Sequence, residues 1–170
     1  GPSSRVSSTV RFFVKEDEEE SLVSDSSTKD IIDDAYNPNL HNMPFIDLVP
    51  NEKFQIPGEE TTYKNFCFNL ADYPELMNTL SEHDQVHIVG FHDIIDEGSL
   101  VHHMDLHGTT NDILGRDKRL CRVYMDLVHP WEAGSPMSFE LPVEAGIPLG
   151  GYDGYKAFRV EVHYHNPRRQ

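Results

Sequence analysis

Basic residues are scarce. Fourteen Lys and Arg stand against 29 Asp and Glu, a formal net charge of −15. Nucleic acid and anionic membrane surfaces are held by a basic face, so both are excluded as partners. Long apolar runs are missing too. Nothing approaches the roughly 18 residues of a membrane-spanning helix, so no transmembrane segment is expected. No signal peptide opens the chain. Gly1-Pro2 reads as a protease-cleavage scar, with any natural targeting segment trimmed away. Cysteine is limited to Cys67 and Cys121. Two cysteines by themselves leave a disulfide and a pair of buried thiols both open.

Acid and histidine are abundant. Residues 15–34 hold nine Asp or Glu against Lys15 and Lys29, interleaved with serines 21, 24, 26 and 27. Such a run is normally a solvated segment. Residues 1–45 are therefore read as an acidic, Ser-rich N-terminal arm. A calcium or mineral contact is its functional alternative, and Thr9–Val14 is a candidate strand within it. From residue 46 the pattern changes to short strands and turns. Phe66, Phe68 and Leu70 alternate with Asn65, Cys67 and Asn69; residues 85–93 and 120–129 read the same way. In Tyr155–His165, Phe158, Val160 and Val162 alternate with Arg159, Glu161, His163 and His165. Turn residues separate these runs at Pro57-Gly58, Glu97-Gly98, Gly115–Asp117 and Gly150–Gly154, and one helical turn is expected at Asp72–Leu80. Strands at this spacing predict an all-β antiparallel β-sandwich, jelly-roll-like, over residues 46–170.

Of ten histidines, His102-His103 and His163 attract attention. Period two turns Phe158, Val160 and Val162 into the core and His163 and His165 towards water. Three imidazoles without a required carboxylate or thiolate suit copper or zinc, and copper(II) is the tighter binder. The alternative is two strand histidines, one pointing in and one out, that share no ligand.

Five segments in order carry a resemblance. They are Ile56–Tyr63 followed by Cys67, Leu100–Met104, Trp131, Pro142–Gly151 and Phe158–Pro167. Together they resemble the N-terminal domain of the copper type II, ascorbate-dependent monooxygenases. The resemblance implies a jelly roll holding one copper ion, the electron-transfer copper, through His102, His103 and His163, with ascorbate as electron donor. It also implies a Cys67–Cys121 disulfide and hence a secreted or secretory-pathway setting. Met104 and His107 are possible additional ligands, and no catalytic residue is assigned. Thr109 stands where the family usually has a cysteine, and His107 where an aromatic is usual. The family's second, oxygen-activating copper domain is the implied partner in a longer protein. Two alternatives remain: a non-catalytic secreted copper-binding or matrix module on the same fold, and an intracellular zinc-binding domain with reduced cysteines.

Overall fold

The computed structural model describes residues 5–16, 40–50, 53–74, 86–112 and 121–168. The chain runs through β1 (Arg5–Val6), β2 (Ser8–Glu16), β3 (Phe45–Leu48), β4 (Phe54–Gln55), β5 (Thr61–Asn69), β6 (Val86–Ile95), β7 (Val101–Thr109), β8 (Asp126–Glu132), β9 (Ser138–Glu140), β10 (Ile147–Leu149) and β11 (Ala157–His165). All named strand pairs are antiparallel. One sheet has the order β10-β6-β2-β3, with β9 also on β6; the other has the order β5-β11-β7-β8; β1 pairs with β4 alone. The expected antiparallel β-sandwich is what forms.

Alternation explains the layers. In β11, Phe158, Val160, Val162 and Tyr164 are at most 1% exposed, whereas Arg159, Glu161, His163 and His165 are half-buried on the outer face. β11 pairs with β5 on one edge and β7 on the other, so its outer-face side chains sit mid-sheet. Facing it across the core, β2 supplies Val10, Phe12 and Val14. The Phe12 and Phe158 rings meet at 5.5 Å, joining the two sheets. Strand β2 lies before residue 46, so part of the stretch read as an arm stands in a sheet between β6 and β3. The acidic residues 17–34 lie outside the described residues, and with them the calcium or mineral contact.

One local feature differs from the sequence reading. The run expected from residue 120 becomes strand only at Asp126, and residues 121–123 form a tight turn. The carbonyls of Cys121 and Val123 accept from the Arg159 guanidinium, at 3.0 Å each, instead of joining a ladder. Leu70–Asp72 forms a 3-10 turn capped by Asn69, whose side-chain oxygen accepts from Ala71 N, and Pro74, within the expected helical turn, is helical. Residues 75–80 of that turn, like Gly115–Asp117, lie outside the described residues. The turn before β11 depends on Gly150 and Gly151, with φ of 65° and 63°, a conformation glycine adopts without steric cost.

Candidate metal centre

The His102-His103 pair lies in β7, which runs antiparallel beside β11. Strict alternation would turn one of two consecutive histidines into the core. The ladder breaks that rule at this point. Val162 faces Met104, His163 faces His103, and Tyr164 then faces Val101, leaving His102 as an extra residue. This is a β-bulge, which bends a strand and re-aims a side chain. Val101 and Met104 stay buried, while His102 is exposed and His103 half-buried on the same outer face. The bulged residue keeps its backbone pairing, because the His102 carbonyl accepts from Ala133 N at 2.9 Å.

The rings converge. His103 Nδ1 lies 3.3 Å from His102 Nδ1 and 3.2 Å from His163 Nδ1. One nitrogen from each ring falls within 4.8 Å of the others. In a tetrahedral centre with metal–nitrogen bonds of roughly 2.0–2.1 Å, neighbouring ligands stand about 3.3–3.4 Å apart. The observed nitrogen separations fit one shared cation, and three neutral imidazoles form a donor set for copper or zinc. Tyr63, opposite His163 in β5, stacks on the His163 ring with centroids 4.4 Å apart and planes 10° apart. Burial, then the neighbouring His103, His102 and His165, pushes the His163 pKa down from 6.5. The neutral form, the one able to ligate, is thereby favoured.

The other candidate ligands stand apart. Met104 is 1% exposed and belongs to the core, on the opposite face of β7 from the histidines. His107 shares the outer face but faces Arg159, four ladder positions from the His103–His163 pair. Burial, then the Arg159 charge, lowers its pKa as well. His165 is nearer: its ring lies 6.3 Å from that of His102, but it contributes no atom to the converging set. Cys67 and Cys121 form a disulfide with Cα atoms 6.0 Å apart.

Three features escaped the sequence reading. Tyr63 is visible only as an aromatic in β5 until register sets it against His163. Asp105 and Glu161 face each other across the β7–β11 ladder, within reach of His103. Period two already puts Asp105 on the His103 face, so that part was legible. His129 is buried and meets Asp93 at 2.8 Å, a contact that no local pattern announces.

Residues 48–170 match the family model for copper type II ascorbate-dependent monooxygenase, N-terminal domain. The dopamine beta-hydroxylase of Rattus norvegicus is 36% identical over 129 residues, covering 66% of this chain and 19% of that protein. The dopamine beta-hydroxylase of Bos taurus is 34% identical over 128 residues and that of Homo sapiens 33% over 129, with the same shares covered. The chain thus spans 19% of the length of these curated relatives. A family model that takes in the whole sheet carrying the histidines, joined to that identity, means that this chain belongs to the copper type II ascorbate-dependent monooxygenase family as its N-terminal domain.

Proposed function

We propose that this chain is an electron-transfer copper domain in which His102, His103 and His163 hold one copper ion. The observation that carries the reading is the convergence of three Nδ1 atoms through a β-bulge. Bound there, copper would supply one-electron redox chemistry, accepting an electron from ascorbate and passing it to an oxygen-activating site in a further domain. The residues do the remaining work. Three uncharged nitrogen ligands suit both copper(I) and copper(II). The bulge fixes two of the rings to one strand, and Tyr63 restrains the third by stacking. The outer-face position of His102 leaves the site open to a small water-soluble reductant.

The disulfide supports an oxidising compartment and hence a secreted or secretory-lumen protein. No helix among the described residues is long and apolar enough to cross a membrane. The alternative of an intracellular zinc domain with reduced cysteines is disfavoured by the same disulfide.

The test is metal loading of the full chain, followed by ascorbate. One equivalent of copper(II) should bind, give a type II electron paramagnetic resonance spectrum, and lose that spectrum on reduction. Alone, the chain should hydroxylate neither a phenethylamine nor a peptidylglycine substrate. Copper that binds but resists ascorbate would leave a metal-binding module and remove the electron-transfer role.

A further inference from the structure

His103 is the middle ligand of the proposed centre, and its second ring nitrogen has a defined environment. With Nδ1 turned towards the other two histidines, its Nε2 points to Asp105, 3.9 Å from Oδ2. Glu161 stands directly opposite Asp105 across the ladder. Ligand atoms of His103, Asp105 and Glu161 all lie within 4.8 Å of one another. Two half-buried carboxylates facing each other on neighbouring strands repel. Arg159, the next cation along this face of β11, donates to the Cys121 and Val123 carbonyls. His103 offers its Nε2 to this pair, and the two carboxylates also act on the charge of His107 along the same face.

Metal binding changes what Nε2 requires. Once Nδ1 ligates, a neutral ring must carry its proton on Nε2, and that proton needs an acceptor. The 3.9 Å separation is about 1 Å beyond hydrogen-bond reach, a gap that rotation of one carboxylate torsion spans. We propose that Asp105 is the positioning residue of this centre: its carboxylate accepts the Nε2 proton of His103 and holds Nδ1 towards His102 and His163, while Glu161 adds negative charge that favours copper(II) over copper(I). The inference rests on the copper reading above.

The experiment compares the parent chain with Asp105→Asn, Asp105→Glu and Glu161→Gln, each loaded with copper alone. The readouts are copper(II) and copper(I) affinity, midpoint potential and the copper(II) paramagnetic resonance spectrum, with circular dichroism confirming the fold. Asp105→Asn should weaken copper(II) binding about tenfold or more. Copper(I) binding should change less, so the midpoint potential rises by about 59 mV for each tenfold difference. Asp105→Glu should restore parent-like values. Glu161→Gln should raise the potential by a smaller amount and leave the spectrum unchanged. A parent-like potential and copper(II) affinity in fully loaded Asp105→Asn overturns the inference while the copper reading stands. So does an identical response of Asp105→Asn and Glu161→Gln, which would mean charge without positioning. A second metal equivalent lost with Asp105 would make it a ligand and overturn the positioning role. A parent chain that binds no copper at all fails the underlying reading first.

Discussion

The outer face of the four-stranded sheet and the gap between the two sheets both hold histidine, under opposite conditions. His102, His103 and His163 sit where water reaches, with their Nδ1 atoms turned on one another. His129 is sealed inside, 6% exposed, with Nε2 2.8 Å from a carboxylate oxygen of Asp93 that is itself 2% exposed. Its ring lies flat on Phe91, with centroids 4.2 Å apart and planes 2° apart. The pair ties β8 of one sheet to β6 of the other. A buried polar group needs its partner inside the fold, and His129 has one. The three outer histidines offer one another nitrogens that a single cation satisfies better. Proximity of histidines is thus not the mark of a metal site. What sets the outer three apart is ring nitrogens that converge on one another.

This contrast can be broken by substitution. The largest effect expected is on copper: His102→Ala, His103→Ala and His163→Ala should each abolish stoichiometric binding. Their circular dichroism and stability should stay close to the parent, because these side chains face away from the core. His165→Ala, His107→Ala and His129→Ala should each retain one copper equivalent by elemental mass spectrometry. Retention of copper by His102→Ala with its loss from His165→Ala would move the site to the His163-Tyr164-His165 strand.

His129→Ala should show the reverse profile. It leaves the Asp93 oxygen in the core without its hydrogen-bond partner, at a cost of about 1–3 kcal/mol or more for a buried polar group left unsatisfied. Denaturant unfolding measures the loss. A change under about 1 kcal/mol would mean that the two sheets do not depend on this contact.

Reduction of the Cys67–Cys121 disulfide comes next. It releases a loop of 54 residues' separation and should lower stability by about 2–4 kcal/mol. Thermal unfolding with and without reductant reads the effect. Native cysteines that a thiol reagent labels without reductant would remove the disulfide and the secretory setting inferred from it.

Acid gives the smallest and most graded effect. His163 and His107 both have pKa values lowered on folding, so the unfolded chain binds more protons than the native one near 6.5. Their contribution to metal-free stability is full above about pH 6.5 and fades as pH falls below that ordinary histidine value. Copper should follow the same direction, held at neutral pH and displaced by protons at lower pH than an unperturbed imidazole would allow. A metal-free melting temperature that rises on acidification through this window would contradict the sign.

Much of the fold was legible because alternation is local. The run from Phe158 to His165 alone specified which side chains of β11 enter the core. The start of β8 was misread because Cys121 and Val123 spend their carbonyls on Arg159, a partner 36–38 residues away. The Asp93–His129 contact was invisible for the same reason: it spans the two sheets, and no spacing within one strand encodes it.

By itself, the sequence determined the sandwich class, the faces of its central strand and the order of family segments around Leu100–Met104 and Phe158–Pro167. Only the tertiary structure decided that His102 and His103 share a face. Period two places consecutive residues on opposite sides, and only the register of β11 against β7 makes His102 the extra, bulged residue. That same register sets Asp105 opposite Glu161 and Tyr63 opposite His163. Which residue lies across from which depends on where two distant strands dock, and that is settled by packing the whole sheet over its core.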